Sequence, residues 1–575
     1  MWLLTNMSIE HNNLNCCYKK NESYTFISNE FIIEPNNTKS HWFSSGHFLL
    51  RNNIPIDLSN VSNENHFDIL YSNLDKEFIN YIKGNFILLH LTEVGFQIYS
   101  DRFAVKKLFY YQNGNKFIIS DDLKEISKHV KLVPSCENFA IYTITYHFTG
   151  GKTAFHNLNH NTPGQIIEYK DGILQYSTYW KPESLLNIEK RKLNIDEISL
   201  ILRKTVLDYV AISPNNHYSL SLTGGADTRN LLSIFLREGI KPHLYTYGNP
   251  HSNDCVKAKN ITEKLDLEHA LYDIEMNAGL FEEYARKIVL LSGGLASIHR
   301  AHRLIAVQKE TLFAEDMFLG TLGGEFIKGV SEDNYIVPSI VYENWNISDF
   351  NNDFIRKYLF TKGISATKLD FEALLGFIQN EPYMKGPITV RKLNALSYIT
   401  AHLHDAQDVN LFNTEMKSIF TPFLDIDYLE TIFSSLYTFD QKESKKFKFL
   451  KRINNPVYGS QFLKSTYKSL CNFKYSGEHK PSEVIFNKYY AALIKSFRQI
   501  NAPAYPPNFE LGDWMFEFVQ KNLPLCSDYI LIKETFDLDI LLKDLKNSKH
   551  IPKESYWLKY TNPIMMRFII EEFAK

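Results

Sequence analysis

The sequence predicts an α+β sandwich of antiparallel strands over residues 1–185, followed by an α/β domain with a parallel sheet over residues 190–575. Three observations support this division. Residues 1–185 contain short apolar runs separated by turns, of which Asn113-Gly114 is typical of a hairpin. The following residues alternate strand-like and helix-like patterns, which is typical of βαβ units and a parallel sheet. A glycine turn between one such strand and its helix is typical of a ligand site.

The elements of the first domain follow from apolar runs of strand length. Residues 86–91 and 116–120 are rich in β-branched, aromatic and other apolar residues, and each is predicted to be a strand. Residues 180–184 break the pattern and mark the start of a linker. The first domain is therefore expected to end near residue 185.

The second domain begins with a regular alternation of elements. Gly239 follows an apolar helical pattern and is predicted to end that helix. The strands are predicted at 217–222, 243–248, 269–274 and 317–320, and the helices at 228–238, 252–265 and 277–291. Ligands bind such sheets beyond the carboxyl ends of the strands. Three of these strands run into glycines, so the sequence predicts one site at that edge.

The turn from Thr223 to Thr228 is the most specific part of that edge. Gly224 and Gly225 allow a ligand to approach the backbone, and the free N–H groups of a helix start attract anions. Asp227 repels a phosphate unless a cation lies between them, and magnesium would remove that conflict. The turn therefore predicts a nucleoside triphosphate with its metal, although an ordinary turn without a ligand remains the alternative for the glycine pair alone.

This turn resembles the Ser-Gly-Gly-x-Asp-Ser pyrophosphatase loop of the asparagine synthetase family, with Thr223 and Thr228 in the two serine places. Further segments resemble that family in the same order along the chain: Gly84-Asn85-Phe86, residues 100–111, Tyr247-Gly248, residues 320–325 and residues 421–425. The resemblance implies a glutaminase-like domain of the Ntn-hydrolase fold, followed by a pyrophosphatase-loop domain of the adenine nucleotide alpha hydrolase-like type with a helical C-terminal part.

The resemblance also implies ATP and magnesium as cofactors. Asp227 and Glu325 are the implied magnesium ligands, and Lys474 matches a lysine that stabilises the leaving phosphates in relatives. The implied nucleotide-binding residues are Leu222, Thr223, Gly224, Gly225, Asp227, Thr228, Tyr247, Gly248, Gly320 and Thr321. Arg300 and Arg303 are further candidates for contact with an acidic substrate or pyrophosphate.

The chain departs from the family at its catalytic positions. A glutaminase of this class uses an N-terminal cysteine, whereas this chain has Trp2 near its start, so no glutaminase activity is expected. Leu322 and Ser418 occupy places where relatives carry residues that activate the attacking amine. Glu415 lies one turn from Ser418 and is the candidate replacement base.

The composition argues against a nucleic-acid-binding or membrane-spanning protein. The net charge of −2 creates no overall attraction for nucleic acid or anionic membranes. No apolar run reaches the roughly 18 residues of a spanning helix. Six cysteines without a Cys-x-x-Cys pair indicate a reducing compartment, so a cytoplasmic protein is expected.

The leading expectation is an ATP-dependent ligase that adenylates a carboxylate, releases AMP and pyrophosphate and forms an amide, as in lactam-forming or macrocycle-forming relatives. Its partner is a small-molecule or peptide carboxylate. One alternative is a catalytically degenerate protein that binds a nucleotide or a protein partner from a biosynthetic cluster, such as one for surface polysaccharide. Another is an asparagine synthetase that uses free ammonia.

Overall fold

The protein is described by a computed structural model. It covers residues 2–7, 16–20, 24–28, 32–33, 41–56, 66–92, 95–145, 147–213, 217–298, 301–328, 363–365, 371–394, 396, 411–412, 414–438, 448–507, 513–547 and 554–574. These residues form two antiparallel sheets in the N-terminal part of the chain. A parallel sheet with surrounding helices follows.

The N-terminal part contains two six-stranded sheets among the described residues, ordered β10-β8-β9-β1-β3-β2 and β12-β11-β7-β6-β5-β4. The strands are β1 Trp2–Thr5, β2 Cys16–Lys20, β3 Tyr24–Ser28, β4 Ile32–Ile33, β5 His41–Leu50, β6 Ile82–Leu91, β7 Gly95–Ser100, β8 Phe109–Asn113, β9 Lys116–Ser120, β10 Leu158–His160, β11 Gln165–Lys170 and β12 Ile173–Thr178. The predicted hairpin is confirmed, because Asn113 pairs with Lys116 and Gly114 adopts a φ of 60°.

These two sheets are buried on both faces. On β1, Trp2 and Leu4 join the core between the sheets, whereas Leu3 points to the opposite face and joins the larger helical core. On β6, Leu89 faces the other sheet, whereas Leu88 packs in a third cluster with helical residues. Alternate side chains of a strand point to opposite faces, so the apolar runs of these strands reflect burial on both sides. The predicted antiparallel sandwich is confirmed, with helical residues packed outside the two sheets.

The parallel sheet has five strands among the described residues, ordered β15-β14-β13-β16-β17. They are β13 Tyr218–Ser221, β14 His243–Tyr247, β15 His269–Tyr272, β16 Asp316–Phe318 and β17 Ser418–Phe420. The four predicted strands are all present, whereas β17 was not predicted. From β13 the sheet grows to one side with β14 and β15, and to the other with β16 and β17. The order therefore reverses between β13 and β16, the position where open α/β sheets bind ligands.

The helices surround these sheets. Ser252 and Asn277 each accept a hydrogen bond from a backbone N–H of the helix that follows, which fixes two of the predicted helix starts. The helices are α1 His66–Leu74, α2 Leu123–His129, α3 Cys136–Thr145, α4 Ile195–Ile212, α5 Asp227–Arg237, α6 Asn253–Leu265, α7 Ala278–Ser292, α8 Ala301–Glu310, α9 Glu325–Lys328, α10 Phe371–Asn380, α11 Ile388–Asn394, α12 Ile426–Ser434, α13 Lys448–Thr466, α14 Pro481–Phe486, α15 Lys488–Ile500, α16 Asp513–Asn522, α17 Ile530–Thr535, α18 Leu538–Asn547 and α19 Glu554–Phe573.

The hydrophobic core is continuous across the predicted linker. One cluster of buried residues runs from Leu3 in β1 to Phe573 at the end of α19. The rings of Phe155 and Phe573 lie 6.3 Å apart, and Lys124 pairs with Glu572 at 2.7 Å. The boundary at residues 185–190 stays a prediction. Among the helices of the described ranges, none combines the length and the apolarity that crossing a bilayer requires.

Candidate functional site

A cavity of about 390 Å³ lies where the order of the parallel sheet reverses. Its walls come from the carboxyl ends of β13, β14 and β16 and from the loops that follow β13 and β16. The predicted site residues that line it are Thr223, Asp227, Thr228, Tyr247, Gly320, Thr321 and Glu325. The structure thus brings together residues from three separate segments of the sequence. These include both residues predicted for the metal and six of the ten predicted for the nucleotide.

The first part of the loop after β13 is fixed by the neighbouring strand. The N–H of Leu222 donates to the carbonyl oxygen of Tyr245 at 2.8 Å, and its carbonyl accepts from Thr246 Oγ1 at 2.6 Å. The Leu222 side chain is fully buried in the core. Leu222 therefore supports the loop, and it does not line the cavity as its assignment to nucleotide binding implied.

The glycine turn is held by a second loop that the sequence analysis did not connect with it. The Gly224 carbonyl accepts from the N–H of Ser476 at 2.9 Å, and the Gly224 N–H donates to Asp254 Oδ1 at 3.1 Å. Ser476 Oγ donates to the same Asp254 oxygen at 3.1 Å. A Cβ atom on Gly224 would lie 2.1 Å from Ser476 Oγ. A side chain at position 224 would therefore displace the Ser476 hydroxyl from Asp254, so glycine suits the close approach of these two loops.

Arg229 connects this second loop to helix α5. Its side chain is fully buried and donates to the carbonyl oxygens of Phe473 and Lys474, both at 3.0 Å. Its guanidinium carbon lies 4.6 Å from the ring centre of Tyr475. Burial lowers the pKa of Arg229 to about 10. Arg229 was not among the predicted site residues, although a charged side chain beside the apolar positions of α5 was an available signal.

The chemistry of the cavity suits a magnesium–phosphate group. Asp227 and Glu325 both line it and offer carboxylate oxygens. Thr228 Oγ1 is buried and has no hydrogen-bond partner among the described residues. Within those same residues, no group of three or more His, Cys, Asp or Glu side chains forms a metal cluster. Magnesium is commonly held by one or two carboxylates together with substrate phosphates, so this donor set fits it.

Asp227 also borders a larger cavity of about 910 Å³. Gly224 and Gly225 line this second cavity and do not line the smaller one. Tyr458 and Tyr475, both buried, contribute to its wall. Burial raises the pKa of Tyr475 to about 12, and the negative charge of Asp227 adds to that shift. The structure therefore divides the predicted loop residues between two adjoining spaces.

Besides Leu222, three more predicted site residues line neither cavity. Gly248, with a φ of 116°, donates its N–H to Tyr272 at 2.9 Å and so extends the pairing of β14 with β15. Lys474 pairs with Glu478 at 2.9 Å. Glu415 accepts from Lys287 Nζ and Gln308 Nε2, both at 2.8 Å. Lys474 and Glu415 were the two catalytic candidates. In the structure each is paired with other residues, and neither lines a cavity.

The two positions where the chain departs from the family differ in their surroundings. Leu322 lines the smaller cavity, is almost fully buried and adopts a φ of 62°, which is rare for a residue with a side chain. Ser418 begins β17 and pairs with Asp316, the first residue of β16. It therefore lies at the amino edge of the sheet, opposite the edge that carries the site. The expectation that Ser418 sits at the reaction centre is not supported by this placement.

One of the additional arginine candidates reaches the smaller cavity. Arg303 lies in α8 and lines it, whereas Arg300 lies outside the described residues. The ring of His302 is 5.9 Å from that of Tyr247, which also lines the cavity. A cationic side chain is thus present beside the two carboxylates.

Comparisons with known proteins give no family for this chain. No protein-family model matches it, and no curated protein matches it. Among solved structures, a glutamine phosphoribosylpyrophosphate amidotransferase from B. subtilis, complexed with ADP and GMP, matches 43% of this chain and 51% of its own length, with 9% identity and a TM-score of 0.19. A structure of the allosteric regulatory enzyme of purine biosynthesis matches 42% of this chain and 61% of its own, also with 9% identity and a TM-score of 0.19. The chain therefore spans between half and two thirds of these structures, and scores this low carry no argument about fold or function.

Proposed function

We propose that the smaller cavity binds magnesium-ATP and that the protein uses it to adenylate a carboxylate for amide formation. The observation that carries this proposal is the convergence of Asp227, Thr228 and Glu325 on one cavity at the reversal point of a parallel sheet. The buried Thr228 hydroxyl, without a partner among the described residues, suits a phosphate oxygen. A magnesium ion at Asp227 and Glu325 would supply charge neutralisation for the phosphates.

Each part of the cavity has a role in this proposal. The N–H groups at the start of α5 and the Thr228 hydroxyl bind phosphate oxygens. Arg303 adds positive charge at the same cavity. Tyr247, at the end of β14, offers an aromatic face to a base. The carboxylate attacks the α-phosphorus of ATP, with pyrophosphate as the leaving group. An amine then attacks the carbonyl carbon of the acyl-adenylate, with AMP as the leaving group.

A degenerate nucleotide-binding protein is the second candidate, and specific observations favour it. Leu322 places an apolar side chain in the cavity where relatives of the resembled family carry a residue that activates the amine. Glu415, the candidate base, accepts hydrogen bonds from Lys287 and Gln308. Binding would then persist without amide formation. An asparagine synthetase that uses free ammonia also requires a base here, so the same observations weigh against it.

Carboxylate-dependent exchange of labelled pyrophosphate into ATP tests the proposal. The parent protein should catalyse exchange with at least one member of a carboxylate pool, and Asp227→Asn should abolish it. A protein that binds magnesium-ATP but exchanges with no carboxylate is the degenerate candidate. A protein that binds no nucleotide contradicts both candidates.

A further inference from the structure

The larger cavity has the size and lining of an organic-ligand site. Its volume of about 910 Å³ falls within the roughly 300–1,000 Å³ of small-molecule sites. The apolar side chains in its wall include the buried Ile327, Tyr458, Tyr475 and Val484. It adjoins the smaller cavity through Asp227, so a ligand in one space lies beside a ligand in the other.

Helix α15 forms one side of this cavity. Asn487 caps the helix by accepting from the N–H groups of Tyr489 and Tyr490 at 2.9 and 3.1 Å. Tyr489 and Leu493 line the cavity and yet are 55% and 70% exposed, so they stand at its mouth. Large apolar side chains that line a cavity and still face water are typical of a surface that a ligand covers.

The charged side chains in the lining indicate the sign of the charge that a ligand should carry. Among the described lining residues the formally charged side chains are Asp227, Lys488 and Lys495. Both lysines come from α15, whereas Asp227 is the proposed magnesium ligand. Burial lowers the pKa of His479, so this lining residue is neutral near pH 7. The lining therefore favours an anion over a cationic amine.

We infer that the larger cavity binds the carboxylate substrate and that this substrate carries a large apolar body, such as an aromatic or aliphatic side chain. This inference rests on the proposed function, since the carboxylate must reach the nucleotide across Asp227. The apolar body packs against Tyr458, Tyr475 and Leu493. The carboxylate lies toward the glycine turn, where the metal and the phosphates meet it.

Calorimetry with defined probes tests the substrate class without requiring turnover. N-acetylphenylalanine should bind to the parent protein in the presence of magnesium and a nonhydrolysable ATP analogue. It should bind about tenfold more tightly than N-acetylaspartate, because a hydrophobic pocket gains about 10-fold or more for each apolar group it accepts. N-acetylphenylalanine amide should also bind more weakly, because it lacks the anion. Equal binding of all three probes overturns the inference.

Two matched variants of α15 locate the site. Leu493→Ser should weaken binding of N-acetylphenylalanine about tenfold. Ile500→Ser is the control, because Ile500 is 82% exposed on the same helix but does not line the cavity. Both changes are at exposed positions, and unchanged melting temperatures verify the fold. If Ile500→Ser weakens binding as much as Leu493→Ser, the probe binds a general apolar surface and the inference is wrong.

Pyrophosphate exchange with the same probes separates this inference from the proposed function. Exchange that occurs with N-acetylaspartate and not with N-acetylphenylalanine supports the ligase and overturns the apolar substrate. Binding of N-acetylphenylalanine that depends on Leu493, without any exchange, supports the apolar ligand class and contradicts the ligase.

Discussion

At the scale of single residues, Thr228 gives the clearest indication of a bound ligand. Its hydroxyl is buried in the cavity wall without a hydrogen-bond partner among the described residues. Burying a hydroxyl without a hydrogen-bond partner destabilises the folded protein. The Thr228 hydroxyl is therefore expected to bind a ligand atom. Thr246 is a useful contrast, because its hydroxyl donates to Leu222 and lies 2.8 Å from His269 Nε2. Thr228 thus contributes to the site, whereas Thr246 stabilises the fold.

Thr228→Val should weaken magnesium-ATP binding by about 1.5–3 kcal/mol, the range for a hydrogen bond to a charged group. It should change the free energy of unfolding by only about 0.5 kcal/mol, because no protein hydrogen bond is lost. Thr246→Val should do the reverse and lower stability by about 1–3 kcal/mol. Calorimetry and urea denaturation measure both quantities. A Thr228→Val protein with the affinity of the parent would contradict the assignment.

At the scale of elements, two loops distant in sequence form one structure around the site. The loop after β13 and the segment around Ser476 meet through Gly224, Asp254 and the buried Arg229. The sequence predicted the first loop because its glycines and Asp227 follow a strand and precede a helix. It did not predict the second, because Ser476 and Gly477 carry no periodic pattern. Strand β17 was missed although β16, which is equally short, was predicted. The glycines at 320, 323 and 324 follow β16 in the sequence, whereas Thr421 and Pro422 follow β17.

Gly224→Ala should disrupt this meeting of loops. The new Cβ atom would lie 2.1 Å from Ser476 Oγ, so the Ser476 hydroxyl must turn away and lose its hydrogen bond to Asp254. We expect weaker magnesium-ATP binding and a loss of stability of about 1–3 kcal/mol. Adding Ser476→Gly removes the clashing side chain and should recover part of both losses. Gly225→Ala is the milder control, because its Cβ atom meets only Thr223 Oγ1, at 3.2 Å. Equal effects of the two glycine changes would show that the contact with Ser476 is unimportant.

At the scale of the whole molecule, the antiparallel sheets and the parallel sheet share a buried polar junction. Lys83 of β6 is 3% exposed and lies 2.9 Å from Asp427 and 3.4 Å from Asp425. Asn85 donates to Thr421 Oγ1 at 3.0 Å. The resemblance includes the segments that carry Asn85, Thr421 and Asp425, whereas Lys83 and Asp427 lie just outside those segments. The sequence could not predict that they touch, since the pairing joins positions more than 300 residues apart and leaves no local pattern.

Buried histidines should make the stability of the molecule depend on pH. Burial lowers the pKa of His47 and of His160 to about 3, and that of His147 to about 4. The unfolded chain takes up these protons near pH 6.5, whereas the folded chain resists them. The contribution of these histidines to stability should therefore fall as the pH drops from 6.5 toward 4, by up to about 1.4 kcal/mol per pH unit for each histidine. The buried carboxyls of Asp101 and Glu381, whose pKa values burial raises to about 6 and about 7, act in the opposite direction.

Urea denaturation between pH 7.5 and 4.5 measures this dependence. His47→Phe should reduce the slope of the unfolding free energy against pH by up to about 1.4 kcal/mol per pH unit. The reason is that it removes one of the groups that take up a proton on unfolding. The ring should be tolerated, since His47 already packs edge-on at 4.8 Å against Phe420. An unchanged slope in this variant would mean that His47 does not contribute in the way its burial implies.

Both proposals require a metal–nucleotide complex in the smaller cavity, so the affinity for magnesium-ATP is the decisive quantity. Magnesium-ATP affinity should be determined by calorimetry for the parent, Glu325→Gln and Glu415→Gln. The two variants make the same chemical change, but Glu325 lines the cavity and Glu415 is bound to Lys287 and Gln308 elsewhere. We predict that Glu325→Gln weakens binding by about 1.5–3 kcal/mol and that Glu415→Gln leaves it unchanged. Equal affinity of the parent and Glu325→Gln, or a loss confined to Glu415→Gln, would contradict the account.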